Sequence, residues 1–364
     1  KFMKLAEIDK NLAIPSNIGR DDVVWLDIDD EPFRIYGVTK SKDGRYIRMP
    51  DEVAKNVSDG VHSLITCTAG GRVRFSTDSP FIAIKTEQPL MEEKNPRMTN
   101  AMKNGFDLFI NKNGKAYFTA AFVPECGEIG GFEQLKETHN GGKMIDYTMN
   151  FPLYGRVNKV LVGIKEGSHI DRGEEYEKMK PIVYYGSSIT QGACASRPGT
   201  CYEALISQMY NLDYINLGFS GCCKGEVPMA EYLAGLDMSI FVCDYDHNAP
   251  SAEYLRDTHG CLYDIVRAKH PNVPYIMITK PDCYEYNRTD VARRREVVYE
   301  TFMRAVKAGD KNVYFIDGER LFDGEGRDNC TAEGCHPTDL GFYRMSRAIG
   351  EVIRQIIVNN KEEK

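Results

Sequence analysis

The stretch Ile182-Val183-Tyr184-Tyr185-Gly186-Ser187-Ser188-Ile189-Thr190-Gln191-Gly192 is an apolar run that stops at a glycine and passes directly into hydroxyl residues. The run reads as a strand buried on both faces, and the Gly-Ser-Ser that follows reads as the turn into a helix. A serine on such a turn is aimed into a cleft with backbone N–H groups beside it, as acyl transfer requires of a nucleophile and its oxyanion donors.

Working downstream, the same texture recurs. Ile182–Tyr185, Tyr214–Leu217, Ile240–Tyr245, Tyr275–Thr279 and Val313–Ile316 are continuous apolar runs. Between them the spacing predicts helices over Cys201–Tyr210, Val227–Leu233, Ala252–Lys269 and Val291–Lys307, the last capped by Thr289-Asp290, and a closing helix from Asp339 to Val358. Strands alternating with helices imply a three-layer α/β/α domain with a parallel sheet of flavodoxin-like order, and ligands in such sheets bind beyond the carboxyl ends of the strands.

Upstream the pattern is different. Val23–Ile28, Phe33–Val38, Ser63–Thr68, Arg72–Ser76, Phe81–Thr86, Phe106–Asn111, Ala116–Phe122, Tyr147–Phe151 and Lys159–Lys165 read as short strands between turns, with Lys112-Asn113-Gly114-Lys115 closing a hairpin. No helical period separates them, so this part is expected to be an all-β sandwich of jelly-roll type. The polar stretch Asp171–Lys178 is the expected joint, dividing the chain into 1–175 and 176–364.

A length of 364 residues suits two cores. The net charge of −7, without a dense basic block, argues against nucleic acid or an anionic membrane as the main partner. The eleven cysteines are odd in number, scattered and without a CxxC pair, so free thiols in a reducing compartment are expected rather than a disulfide framework or structural zinc. No apolar run approaches the roughly 18 residues of a membrane span, and Lys1-Phe2-Met3-Lys4-Leu5 carries no signal-like apolar segment. The expected location is cytoplasmic, with secretion left open if a leader has been removed, and self-association is left open too.

Polar groups gather at the strand ends: Ser188, the segment Asn216–Gly221, the segment Asp244–Asn248, and His336 after the fifth strand. His336 is the histidine best placed to act as general base on Ser188; His247 and His259 are weaker, His270-Pro271 reads as a helix end, and His247, beside Asn248, is a candidate to line the cleft and bind substrate. Asp244 and Asp246 lack the further oxygen ligands a hard cation needs, so no metal and no cofactor is expected. Arg197 has two readings, a substrate contact or a brace for its loop through a carboxylate. Trp25, Tyr36, Tyr147 and Tyr154 could form a sugar platform, although strand aromatics more often fill cores.

These segments resemble the SGNH (GDSL-type) hydrolases, whose blocks contribute a serine, a glycine, an asparagine and a histidine in that order. The likeness extends to acylhydrolases with an N-terminal domain named for a GxDLY motif, here Gly105-Phe106-Asp107-Leu108-Phe109, and includes Gly192–Gly199 and His336–Phe342. The resemblance implies Ser188 as nucleophile, in a block with Ser187 where the family has aspartate. It implies an oxyanion hole of Ser188 N–H, Gly221 N–H and the Asn248 amide. The acid normally stands three residues before the histidine, which falls on Glu333; Asp328 and Asp323 are alternatives, and some relatives use a Ser–His pair alone. The expected activity is hydrolysis of small acyl esters, O-acetyl on carbohydrate foremost, through an acyl-enzyme. A lipase or thioesterase for longer chains, and a non-catalytic carbohydrate-binding protein on the same scaffold, are the alternatives. The expected ligand is a small-molecule or oligosaccharide ester.

Overall fold

The structure, a computed structural model, describes residues 18–89, 95–125, 130–281 and 288–362. The expectation about the first five residues lies outside them.

Two antiparallel sheets face each other in the N-terminal part. One has the order Val23–Asp27, Lys159–Lys165, Phe81–Glu87, Glu133–Glu137; the other runs Ile170–Asp171, Arg72–Thr77, Ile145–Asn150, Phe106–Lys112, Lys115–Phe122, with Arg34–Tyr36 also paired to Arg72–Thr77. Strand alternation decides the faces. Val73 and Phe75 enter the sandwich core with Ile82, Ile84, Leu108, Tyr147, Met149 and Val162. Arg72 and Arg74 therefore point the other way, and both are buried because the second half of the chain covers that face. Arg72 donates to the Tyr176 hydroxyl at 2.8 Å and the Tyr214 carbonyl at 3.1 Å, and pairs with Asp213; Arg74 reaches the Asn211 Oδ1 at 2.9 Å.

The second half is built on a parallel sheet of order Tyr214–Gly218, Ile182–Gly186, Ile240–Asp244, Tyr275–Ile278, Val313–Ile316. Alternation again splits the side chains. Val183, Tyr185, Phe241, Cys243 and Met277 face the helices Val227–Ala234, Ala252–Lys269 and Arg288–Lys307. Ile182, Tyr184, Ile240, Val242 and Ile276 face the helices Tyr202–Tyr210 and Asp339–Glu362. Three layers follow, and the chain reverses winding direction between the Ile182–Gly186 and Ile240–Asp244 strands, the point where ligands bind in such sheets.

Four elements differ from expectation. Ser63–Thr68 is not a strand: Ser58 caps a helix over Asp59–Leu64 by accepting the Val61 N–H at 3.2 Å, and Val61 and Ile65 then pack under the parallel sheet. A second helix, Asp51–Val57, precedes it, so a helical period does interrupt the N-terminal part. The helix expected from Val291 begins at Arg288, which places Thr289-Asp290 inside its first turn instead of at its cap. The strand Glu133–Glu137 escaped notice because its sequence, EQLKE, is mostly polar. Tyr147 and Tyr154 are buried, as core residues, while Trp25 and Tyr36 are half-buried. The nine cysteines among the described residues form no disulfide with one another. No helix among the described residues is long and apolar enough to cross a membrane.

Candidate active site

Gly186 ends the first parallel strand at a place where a Cβ would lie 2.1 Å from Thr190 Oγ1 and 2.5 Å from the Asp244 carbonyl, so only glycine fits. The chain then turns tightly. Ser187 donates its N–H to the Asp244 carbonyl at 3.1 Å, and its hydroxyl accepts the Ile189 N–H at 3.1 Å, capping the short helix Ser188–Gln191. A serine cap serves here as the aspartate of the family pattern would. Ser188 is the first helical residue, so its N–H has no partner within the helix, and the residue is largely buried at the end of the first parallel strand.

The second strand end is fastened to this turn from both sides. Asn216 donates to the Thr190 carbonyl at 2.6 Å, and Gln191 Oε1 accepts the Ser220 N–H at 3.0 Å. From the N-terminal part, the fully buried Arg48 donates to the carbonyls of Gly218 at 2.6 Å, Asn216 at 3.2 Å and Leu64 at 2.8 Å, with its guanidinium over the Phe219 ring. Burial pushes its pKa down to about 10. The turn that follows carries Gly221 at φ +68°, a left-handed conformation, with open space where a side chain would stand.

The third strand end supplies the turn Asp246–Asn248. Arg294, on the helix Arg288–Lys307, holds it by donating to the carbonyls of Asp246 and Ala249, both at 2.7 Å. Asp246 accepts the His247 ring Nδ1–H at 2.9 Å and the Lys280 N–H at 3.0 Å. Asn248 follows, and its buried Oδ1 has no partner among the described residues. Beneath, Asp244 accepts the Thr190 hydroxyl at 3.3 Å. Its own carboxyl is pushed up to about 7 by burial, with the charge of His247 pulling the other way. Because the folded form holds this proton more tightly than the unfolded chain, the contribution to stability is present at acid pH and lost as pH rises through about 7. Urea midpoints across that window should fall in the wild type, and Asp244→Asn should flatten the fall; an unchanged slope would dismiss Asp244 as its source.

His336 closes the site. Its loop is fixed by the Ala332 N–H on the His336 carbonyl at 2.8 Å and the Thr338 N–H on the Cys330 carbonyl at 2.9 Å. His336 Nε2 lies 2.8 Å from Ser188 Oγ. On its other side, Nδ1 lies 3.0 Å and 3.2 Å from the two oxygens of Glu333. Glu333 Oε1 also accepts the His336 N–H at 2.6 Å and the Cys335 N–H at 3.2 Å, and Arg97 stands 3.5 Å from Oε2. Burial opposes ionisation of Glu333, but the hydrogen bonds and charge of His336 outweigh it and hold the carboxyl below the ordinary range. A carboxylate on Nδ1 makes that nitrogen the donor and leaves Nε2 to accept the serine proton. Asp323 instead pairs with Arg327.

Arg197 belongs to the scaffold. Its guanidinium donates to Asp107 Oδ2 at 2.7 Å and lies 3.9 Å from the Phe118 ring centroid, so of its two readings the brace is the one the geometry carries. Asp107, the aspartate of the Gly105–Phe109 motif, also accepts the Gly199 N–H at 2.7 Å and the Asn150 amide at 2.8 Å. Asp339, three residues after His336, accepts the Ser196 N–H and the Thr200 hydroxyl, each at 2.8 Å. The loop after Ser188 is thereby tied to the sandwich at one end and to the histidine segment at the other. Asp107→Ala strands Arg197 and Gly199 without their acceptor and should cost about 3 kcal/mol of stability, read as a lower denaturant midpoint; a change under about 0.5 kcal/mol would contradict this role.

His259 and His270 are structural. His259 is buried against Tyr245, with its pKa driven down to about 4 by burial, and His270 Nε2 sits 3.0 Å from the Ala234 carbonyl. His247 joins Asp244 and Asp246 in a cluster within 4.8 Å, a third ligating group that sequence reading did not count, but its Nδ1 is committed to Asp246. Sequence reading also missed Arg48 and Arg294; the only signal for the first was an arginine inside the apolar run Tyr46-Ile47-Arg48-Met49.

Comparison with known proteins places this arrangement. The model of the GDSL-like lipase/acylhydrolase family matches residues 179–354, and the model for the N-terminus of SGNH-hydrolase-type esterases matches residues 23–170. No curated protein matches the chain in sequence. Among solved structures, a putative GDSL-like lipase from Bacteroides ovatus is 30% identical, with TM-score 0.82 over 92% of this chain and 98% of that one. The salicylyl-acyltransferase SsfX3 of a tetracycline biosynthetic pathway is 19% identical, with TM-score 0.74 over 90% and 96%. A family two carbohydrate esterase from Clostridium thermocellum, solved with cellohexaose, is 12% identical, with TM-score 0.62 over 89% and 99%; these last two show the shared fold.

Proposed function

The chain belongs to the GDSL-like lipase/acylhydrolase family, with the N-terminal part of SGNH-type esterases, and on that premise we propose that it removes small acyl groups, O-acetyl foremost, from carbohydrate through an acyl-enzyme on Ser188. The observation that carries the chemistry is the 2.8 Å approach of His336 Nε2 to Ser188 Oγ, backed by Glu333 on Nδ1.

His336 takes the hydroxyl proton as Ser188 Oγ attacks the ester carbonyl. Negative charge then develops on the carbonyl oxygen, and Ser188 N–H, Gly221 N–H and the Asn248 amide are its donors; one such donor contributes roughly 2.7–4 kcal/mol in comparable enzymes. Collapse expels the alcohol, which takes the proton from His336. Water, activated by the same imidazole, attacks the acyl carbonyl and frees the acid and Ser188. Glu333 orients the ring and stabilises its charged form throughout. No step calls on a cofactor.

The carbohydrate preference is supported by fold neighbours described as carbohydrate esterases, one of them an acetyl xylan esterase from Butyrivibrio proteoclasticus. In this reading residues 1–175 form the sandwich and 176–364 the catalytic part, and Arg48 and Asp107 make the first a support of the second. The test is acetate release from acetylated xylan, mannan and oligosaccharides, alongside a p-nitrophenyl ester series of increasing chain length. Release from the glycans, with rates falling beyond the shortest acyl groups, is the expected result. Rates that rise with chain length would replace it with a lipase or thioesterase, and glycan binding without turnover would make the chain a binding protein.

A further inference from the structure

Cys335 enters the hydrolysis route only through its main-chain N–H, yet its thiol stands among the catalytic side chains. Ligating atoms of Cys335, Glu333 and His336 all lie within 4.8 Å of one another. A tetrahedral zinc with bonds of about 2.0–2.3 Å sets its ligand atoms roughly 3.3–3.8 Å apart, so movements of about an ångström complete the set. A thiolate, an imidazole and a carboxylate select zinc over the hard cations magnesium and calcium.

An independent feature stands at the end of the third parallel strand. His247 has a side chain only 9% exposed and an Nε2 with no partner among the described residues. An unpaired buried imidazole nitrogen is costly unless something binds it, and it is available as a fourth ligand.

We propose that Cys335, His336 and Glu333 form a zinc site, completed by the unpartnered Nε2 of His247, whose occupation switches the hydrolase off. Binding displaces the thiol proton to solvent and forms a sulfur–zinc bond. It also takes a lone pair of the His336 ring, so the imidazole can no longer hold its tautomer and accept the Ser188 proton. Zinc and ester turnover are then mutually exclusive, and removal of the metal restores activity. This proposal depends on the geometry of the cluster and not on which ester is the substrate.

The test pairs a zinc titration of p-nitrophenyl acetate hydrolysis, reversed by EDTA, with cobalt(II) absorption spectra of wild type, Cys335→Ser and Cys335→Ala. Inhibition of the wild type should weaken about tenfold or more in both variants. Cobalt should give a thiolate charge-transfer band in the wild type that both variants lack. Equal inhibition of all three proteins, or a wild-type cobalt spectrum without that band, would overturn the site. Should the ester not be hydrolysed at all, the cobalt spectra decide the question alone.

Discussion

Ser188→Ala is expected to lower kcat by about 10⁵–10⁶-fold while leaving KM for a short ester within a few-fold of wild type, since loss of the nucleophile in a comparable Ser–His–carboxylate enzyme has an effect of that order. The selectivity of the effect follows from the turn. Ser187 and Ser188 are adjacent, but Ser187 Oγ is engaged as a helix cap while Ser188 Oγ faces His336 Nε2 at 2.8 Å. Ser187→Ala should therefore cost about 1 kcal/mol of stability, a typical price for losing a cap, and far less activity. Stopped and initial-rate assays on both variants separate the two. A Ser188→Ala protein that keeps wild-type activity would remove the nucleophile assignment.

Glu333→Gln should lower kcat by about 10³–10⁴-fold, the range found when a triad carboxylate becomes an amide without loss of shape. The carboxylate makes His336 Nδ1 the donor; an amide can donate to Nδ1 instead, which would place the ring proton on Nε2, where it cannot accept from serine. Glu333 Oε1 also accepts two main-chain N–H groups of its own loop, so the glutamine should keep the loop folded through its carbonyl oxygen. Circular dichroism and the thermal midpoint should then match wild type while turnover collapses. A loss under tenfold would instead identify a Ser–His pair for which Glu333 is dispensable.

The parallel sheet was readable because strands covered on both faces must be apolar throughout, and the runs from Ile182 to Ile316 announce themselves. Helix Ala252–Lys269 has the bounds its sequence predicts, and the structure adds the Ser251 cap, which accepts the Tyr254 N–H. The N-terminal part was harder. Its outer-sheet face is covered by the second half of the chain, so Arg72 and Arg74 look like solvent-facing residues in sequence and are buried in the fold. The segment from Asp51 to Leu64 lends its apolar side to the parallel sheet, a contact to a surface more than a hundred residues away that no local pattern encodes.

At the candidate site, the polar groups at the strand ends were legible and their supports were not. Ser188, Gly221, Asn248 and His336 stand at strand ends, where the fold collects chemistry. Glu333 is near His336 in sequence, so its place on Nδ1 was an available expectation. Arg48 and Arg294 act across long separations on main-chain carbonyls, which carry no sequence signature, and Asp107 stands in the Gly105–Phe109 motif with partners that the motif does not reveal. Arg197 illustrates the difference: its type permitted a substrate contact, and only the fold, by setting Asp107 at 2.7 Å and Phe118 beneath it, assigns it to bracing the loop.

The central claim is that Ser188 becomes acylated. A serine-directed organophosphonate, applied to wild type and to Ser188→Ala and followed by intact-mass and peptide analysis, tests it directly. One adduct, on the peptide containing Ser188 and confined to that residue, with none in the variant and activity lost in proportion to labelling, is the predicted result. Labelling at Ser187 or elsewhere, or loss of activity without an adduct on Ser188, would contradict it.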